Sequence, residues 1–416
     1  MRRSASLSPL AGRAYRLLWI GQTVSSAGDA VVQVALVFAI LHVGGTASDI
    51  GFVIAIQSVT RVALILAGGV WADRLRRELV MLSCDAGRAV IQTGIAVLLL
   101  TGSARVWELA AGAALYGAAQ SFFGPASTGL IPETVPAEQL QQANALMNFA
   151  RGFVSVGGPA IAGVLIVLFG PGPVFAADAA TFVVSAVSLS LLRLPQRGLP
   201  QRASFRADLA VGWRELAIRR WYWVNLIAHA LWNFAIPAYY VLGPVIAARM
   251  LGGASAWGAI SASWAAGAVA GGLIALRVRP RRPLVVGNLA LVLGALPLLA
   301  LARPLGTWQI AIAAAFGCAG MIFLNTAWAA AMQQLIPEQV RSRVDSYDWL
   351  ISLVVMPAGF AAVGPLAAWA GTASTLVGAA LVLAVPCALV VLVPGIRAVR
   401  RTADGVIVDR MAPQES

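Results

Sequence analysis

Twelve apolar runs follow one another along this chain, and each is long enough to cross a lipid bilayer as a helix. The hydrocarbon core of a bilayer is about 30 Å thick, and about 20 helical residues span it. Charged residues make up 11% of the chain, against about 25% in a typical soluble domain. The sequence therefore predicts an all-α membrane protein with twelve transmembrane helices. The runs are residues 17–41, 50–71, 79–100, 106–130, 144–169, 174–192, 221–247, 257–276, 284–301, 308–332, 349–370 and 375–393.

The arginines between these runs are abundant in every second loop. If the N-terminus is placed inside, the inside segments hold 24 arginines, and the outside loops hold only Arg105, Arg249 and Arg303. Positive charge accumulates on the cytoplasmic side of membrane proteins. This split predicts cytoplasmic N- and C-termini, an even number of spans and a multi-pass protein of the bacterial cytoplasmic membrane. Residues 1–16 are expected to form a cytoplasmic tail and not a cleaved signal.

Three short motifs recur in the second half of the chain at nearly constant spacing. Paired glycines close spans two and eight, Ile-Pro-Glu follows spans four and ten, and Gly-Pro lies in spans five and eleven. Their offsets of 203, 205 and 206 residues favour a duplicated six-helix unit. The predicted division is a tail (1–16), a six-helix half (17–192), a cytoplasmic linker (193–220), a second six-helix half (221–396) and a tail (397–416).

The loop after span two carries a recognisable pattern. Residues 69–77, Gly-Val-Trp-Ala-Asp-Arg-Leu-Arg-Arg, resemble the motif between helices two and three of the major facilitator superfamily, whose plan is two six-helix halves. Arg76 replaces the usual glycine, and Glu78 replaces a second basic residue. The resemblance implies a cytoplasmic gate formed by Gly69, Asp73, Arg74 and Arg77.

The proposed gate also has a physical rationale. An acidic side chain is favoured near the N-terminus of a helix, so Asp73 is expected to meet the start of span eleven in one conformational state. Arg74 and Arg77 are expected to pair with Asp73 or with the nearby acids Glu338 and Asp345. Positive charge that only orients the chain in the membrane is the alternative reading of the arginines.

Span five carries a second motif, which is similar to the helix-five motif of drug/proton antiporters. Its small residues permit close helix packing, and its proline interrupts the hydrogen-bond ladder of the backbone. The motif could serve either as a seal against proton leak or for static packing alone. The stretch from Phe122 to Pro159 also resembles the subfamily that contains the enterobactin exporter and the macrolide efflux proteins. The arginine usual in helix four of the antiporters is missing from this chain. The helix-five motif consists of Gly152, Gly157, Gly158, Pro159 and Gly163.

Charged residues inside the spans are costly in a bilayer and therefore mark functional interiors. Asp29 in span one and Arg61 in span two lie at the same depth, so we expect them to pair, with Arg151 of span five joining them. These three residues are the predicted proton-coupling group, with Asp29 as the protonatable switch; a static ion pair is the alternative. Asp85 and Arg88 are expected to pair locally on one helix.

Polar and aromatic side chains scattered through otherwise apolar spans suggest a cavity for amphiphilic organic molecules. His229 is expected to be a packed polar residue, and Asp178 either an anchor near the outer surface or a coupling residue. The predicted cavity residues are Gln33, Gln57, Gln120, Trp232, Asn233, Tyr239, Asn325 and Trp328.

These features predict a secondary transporter that exports a small amphiphilic molecule, such as a drug, a siderophore or a secondary metabolite, in exchange for protons. Uptake or uniport of a small metabolite is the alternative. The sequence shows no catalytic motif and no metal-ligand spacing, so we expect no enzyme activity, cofactor or metal. The expected partners are the substrate, protons and the lipid bilayer, with no nucleic acid, and the expected oligomeric state is a monomer.

Overall fold

A computed structural model of the chain describes residues 5–192, 219–336, 338–402 and 404–411. The chain divides into two compact units, Met1–Gln201 with Ala247–Ala262, and Arg202–Ile246 with Ser263–Ser416. Most of the predicted linker at 193–220 lies outside the described residues.

Continuous helices make up the described part of the first unit. Gly170, with φ at +76°, separates two of them, and Pro171 then begins the next helix, where its missing N–H costs nothing. The helices are α1 Arg13–His42, α2 Ala47–Arg74, α3 Arg77–Leu100, α4 Val106–Thr134, α5 Leu140–Phe169 and α6 Pro171–Ser190, with short 3-10 helices at Ala5–Ala11 and Ala137–Gln139.

The helices of the first unit pack as a bundle around apolar contacts. α1 packs against α5 and α6, α2 against α4, and α3 against α4 and α6. The Tyr15 hydroxyl donates a hydrogen bond to the Ala143 carbonyl at 2.6 Å and joins α1 to α5. The outer surface is apolar as well: Phe149 and Phe153 on α5 are 74% and 73% exposed. An apolar exterior of this kind matches a lipid environment.

Two predicted spans of the second unit are interrupted helices. α7 (Arg220–Ala235) gives way to α8 (Pro237–Ile246), because Pro237 has no N–H for the helical ladder. α10 (Pro283–Leu291) and α11 (Ala295–Ala302) are joined by a single 3-10 turn. Each pair still forms one apolar segment. The runs predicted at 221–247 and 284–301 contain these breaks, which hydropathy does not reveal.

The remaining elements complete the second half of the chain. They are a π-helical turn at Ala247–Leu251, α9 Ala254–Arg277, α12 Thr307–Leu335, α13 Glu338–Ala370, α14 Thr372–Val390 and α15 Pro394–Ala398. A small hairpin follows, in which β1 (Val399–Arg401) pairs antiparallel with β2 (Ile407–Asp409). Part of the predicted tail at 397–416 therefore forms a β-hairpin.

Ten segments within the described residues are long and apolar enough to cross a membrane. The other two predicted spans are also helical: α4 covers 106–130, and α13 contains the apolar stretch Val354–Ala370. The predicted all-α membrane fold is confirmed. The cytoplasmic orientation of the termini and the domain boundaries stay predictions.

Candidate functional site

Two aspartates and one arginine meet inside the first unit. Arg88 and Asp85, three residues apart on α3, form an ion pair. Arg88 Nη1 also lies 3.8 Å from Oδ2 of Asp29 on α1, and the Tyr116 hydroxyl of α4 donates a hydrogen bond to Asp29 Oδ1. The side chains of Asp85 and Arg88 are 0% and 2% exposed, whereas that of Asp29 is 26% exposed. Asp29 is therefore the ionisable member of this group that reaches open space.

Aromatic rings surround the buried guanidinium. The Cζ atom of Arg88 lies 4.1 Å from the ring centre of Phe123 and 4.4 Å from that of Phe182, and Tyr116 lies at 5.8 Å. A planar, delocalised cation stacks well on such rings. These contacts help to offset the cost of removing the charge from water, which one ion pair alone would not cover.

A third carboxylate lies beside this group. Asp178 on α6 is 1% exposed, and its Oδ2 accepts a hydrogen bond of 2.6 Å from Gln92 Nε2. Gly28 on α1 lies against it, so that any side chain at position 28 would collide with the Asp178 carboxylate. Asp178 is thus buried and bound between helices. We name Asp29, Asp85, Arg88 and Asp178 the acidic cluster.

A cavity of about 440 Å³ opens next to the acidic cluster. Asp29 lies in its wall, and amide side chains dominate its polar lining. The predicted cavity residues of the first half, Gln33, Gln57 and Gln120, all line it. The structure therefore brings three residues of the predicted substrate cavity together with the predicted coupling aspartate.

The predicted pairing of Asp29 with Arg61 is wrong in this conformation, since the cation that Asp29 contacts among the described residues is Arg88. Arg61 and Arg151 have exposed side chains, and neither forms an ion pair among the described residues. Equal depth does not place two residues on facing sides of their helices: α2 packs mainly on α4, and makes little contact with α1. The predicted local pair of Asp85 and Arg88 is confirmed, but sequence reasoning missed its link to Asp29.

A second cavity, of about 460 Å³, lies among α7, α10 and α12 of the second unit. Four of the predicted cavity residues line it, and its walls carry amides, indoles and an imidazole. Tyr239 is not among its lining residues; its ring stacks on Trp264 at 4.9 Å, in a buried position. The polar and aromatic lining consists of His229, Trp232, Asn233, Asn325 and Trp328.

Arg77 of the predicted gate joins two helices of the first unit. Its Nη1 donates hydrogen bonds to the Gly129 carbonyl at 2.7 Å and to Glu133 Oε1 at 2.9 Å, near the end of α4. Glu133 was not among its expected partners. Gly69, Asp73 and Arg74 lie on α2, but their side chains are outside the described residues, as are those of Glu338 and Asp345. The gate stays a prediction.

The glycines of the helix-five motif differ in their surroundings. A Cβ atom at Gly163 would lie 2.7 Å from the Ala254 carbonyl oxygen, and one at Gly158 would collide with Ala30 of α1. Gly152 and Gly157 face open space instead. α5 continues as a helix through Pro159. Close helix approach therefore accounts for Gly158 and Gly163, and does not account for the other two.

Known proteins resemble this chain in sequence. The sequence pattern of the Major Facilitator Superfamily matches residues 18–347. Multidrug efflux pump Tap of Mycolicibacterium fortuitum is 24% identical over 408 residues, which cover 92% of this chain and 96% of Tap. Macrolide efflux protein A of Streptococcus pyogenes is 22% identical over 261 residues, or 62% of this chain, and the match covers 64% of that relative, less than two thirds of its length.

A solved structure shows the same fold. The crystal structure of a bacterial homolog of the human lysosomal transporter Spinster, in an inward-facing and unoccupied conformation, has a TM-score of 0.70 and 14% sequence identity. The alignment covers 94% of this chain and 97% of that one. The match to the family pattern over most of the chain leads to one conclusion: this chain belongs to the Major Facilitator Superfamily, a family of multi-pass membrane transporters and not of enzymes.

Proposed function

We propose that the protein is a proton-coupled exporter of small amphiphilic molecules in a bacterial cytoplasmic membrane, working as a monomer by alternating access. The observation that supports this proposal is the acidic cluster beside the first cavity, with Asp29 in the cavity wall. The names of two relatives, a multidrug efflux pump and a macrolide efflux protein, support export over uptake.

The acidic cluster has more acid than base. It contains three carboxyl groups and one guanidinium, all in the interior of a membrane-embedded bundle. Uncompensated charge in such surroundings is unfavourable. The free energy of the cluster would therefore be lowest when some of its carboxyl groups are protonated. A site that exchanges protons as its access to water changes is what proton coupling requires.

Asp29 is the member best placed to exchange a proton with the cavity. The Asp29 side chain is partly exposed and lines the cavity. Its distance to Arg88, 3.8 Å, is longer than a hydrogen bond, so the two charges are only weakly paired. Asp85, which is buried and paired with Arg88, is better suited to keep the guanidinium in place. Protonation of Asp29 would weaken its hold on Arg88 and Tyr116, which lie on α3 and α4, and so would alter how α1 packs on these helices.

The two cavities support an amphiphilic substrate. The first presents a carboxylate and several amides, and the second presents indoles, amides and one imidazole. Sites with a few polar groups among apolar walls suit small organic molecules. Arg77 and the other predicted gate residues would control cytoplasmic access in this scheme.

Purified protein in liposomes that contain a pH-sensitive dye tests this function. Addition of an amphiphilic drug should move protons through the wild-type protein, and Asp29→Asn should abolish this movement. Asp49→Asn is the matched control. Asp49 Oδ2 accepts a hydrogen bond of 2.7 Å from the Thr46 backbone N–H at the start of α2, and the side-chain oxygen of asparagine can accept the same bond. Substrate movement without proton movement, in every drug tested, would indicate a uniporter and reject the coupling proposal.

A further inference from the structure

A backbone carbonyl, two side-chain amides and one imidazole form a hydrogen-bonded chain that ends at the second cavity. Asn288 Nδ2 donates to the Leu284 carbonyl at 2.7 Å and to Asn225 Oδ1 at 2.7 Å. Asn225 Nδ2 lies 3.2 Å from His229 Nε2. Asn225 and Asn288 are completely buried, while His229 lines the cavity. The chain thus leads from the backbone of α10 to a side chain in the cavity wall.

The direction of every hydrogen bond in this chain follows from its first member. A backbone carbonyl can only accept, so the Asn288 atom next to Leu284 must be the amide nitrogen. That nitrogen also contacts Asn225, whose nearer atom must therefore be its oxygen. Asn225 is left to point its own nitrogen at His229, and Nε2 of the imidazole must accept. His229 is consequently neutral, with its proton on Nδ1.

The cavity around His229 is lined by neutral apolar, aromatic and amide side chains. Among the described residues, the hydrogen bond found for His229 is that of Nε2 with Asn225. The Nε1 atom of Trp232 has no partner, but it is buried next to Gly294 and does not face the cavity. The residues that line the cavity include no acidic or basic side chain besides this neutral histidine. The imidazole N–H of His229 is therefore the donor in the cavity wall that is available to an acceptor on a ligand.

We propose that the second cavity binds an uncharged, hydrogen-bond-accepting part of the transported molecule, such as a lactone, ketone or ether on a ring skeleton. His229 donates from Nδ1 to this acceptor, and Asn225 and Asn288 are positioning residues that fix its tautomer. The assignment of the ligand rests on the proposed transport function, whereas the tautomer follows from the hydrogen bonds alone.

The tautomer can be measured directly, because the chain contains two histidines, His42 and His229. Nitrogen-15 spectra of histidine-labelled protein in nanodiscs, with His42→Gln to remove the other signal, should show His229 neutral and protonated at Nδ1. Asn225→Asp replaces the donor by an acceptor of the same shape and should move the proton to Nε2. A wild-type spectrum with the proton on Nε2, or an imidazolium at neutral pH, would overturn the inference.

Ligand binding is tested with two bicyclic probes of similar size: coumarin, which has a lactone carbonyl, and naphthalene, which has no acceptor. The coumarin should shift the Nδ1 resonance of His229, and naphthalene should not. His229→Phe should weaken coumarin binding about fivefold, the loss expected for one neutral hydrogen bond, and His229→Gln should restore part of it. Equal shifts with both probes, or no binding of either, would refute the donor role.

The results of these measurements and of the coupling experiment distinguish the ligand proposal from the proposed transport function. If Asp29→Asn abolishes proton movement but the coumarin does not bind, transport stands and the ligand class is wrong. If the coumarin binds with the expected shift but no drug moves protons, the donor site stands and the proposed coupling is wrong.

Discussion

The same substitution, glycine to alanine, should have opposite effects at two positions of the helix-five motif. Gly163→Ala would place a Cβ atom 2.7 Å from the Ala254 carbonyl oxygen and 3.1 Å from the Ser255 Cα atom. Both are backbone atoms at the start of α9, so no side-chain rotation can relieve the collision. Gly157→Ala would place its Cβ in open space.

The expected magnitudes follow from this geometry. To restore an ordinary contact near 3.5 Å, α5 and the start of α9 would have to separate by about 0.8 Å at this point. Such overpacking typically costs about 1–3 kcal/mol. Exchange of glycine for alanine within a helix gains up to about 1 kcal/mol. Gly163→Ala should therefore lower the free energy of unfolding by up to about 2 kcal/mol, and Gly157→Ala should leave it unchanged or raise it.

Unfolding in mixed detergent and SDS micelles, followed by helical circular dichroism, measures this difference for both variants. Gly152→Ala is the second control, because Gly152 also faces open space. Proton leak through liposomes can be recorded on the same proteins, and only Gly163→Ala should change it if the close contact acts as a seal. Equal stability of Gly163→Ala and Gly157→Ala would refute the packing argument.

Three further predictions concern the first unit. Arg88→Met should lower the free energy of unfolding by about 3–5 kcal/mol, because it strands buried carboxylates; Arg61→Met, at an exposed site, should change it little, and micelle unfolding of both variants checks the difference. Gly28→Ala should reduce the yield of folded protein on size-exclusion chromatography, because its Cβ would meet a carboxylate on α6, whereas Gly94→Ala, in open space, should not. Arg77→Gln should lower the melting temperature and speed proteolysis at the end of α4, since it removes a charged hydrogen bond of 2.9 Å.

The sequence was sufficient to predict the membrane fold, because hydropathy and helix length are properties of single segments. It was also sufficient for Asp85 and Arg88, whose spacing on one helix decides their contact. The Asp29–Arg61 pairing failed for a physical reason: depth in the membrane follows from counting residues, but the direction in which a side chain faces depends on which helices are neighbours. Hydropathy gave no information on that adjacency.

The candidate site shows the same limit. Gln33, Gln57 and Gln120 were recognisable as polar residues in apolar spans, and they do meet in one cavity. The amide chain that ends at His229 was not recognisable, because its members come from α7 and α10 and lie 63 residues apart at Asn225 and Asn288. A hydrogen-bond network of this kind exists only after the helices have packed.

Hydrogen bonds join the C-terminal hairpin to two other parts of the chain, which places all three on one surface. The Arg401 amide donates to the Arg281 carbonyl, in the loop between α9 and α10, at 2.8 Å, and the Ile407 amide donates to Gln334 Oε1, at the end of α12, at 2.7 Å. A hydrogen bond cannot reach across a bilayer. The C-terminal segment, this loop and the end of α12 must therefore face the same compartment, and a single accessibility label on any of them reports the sidedness of all three.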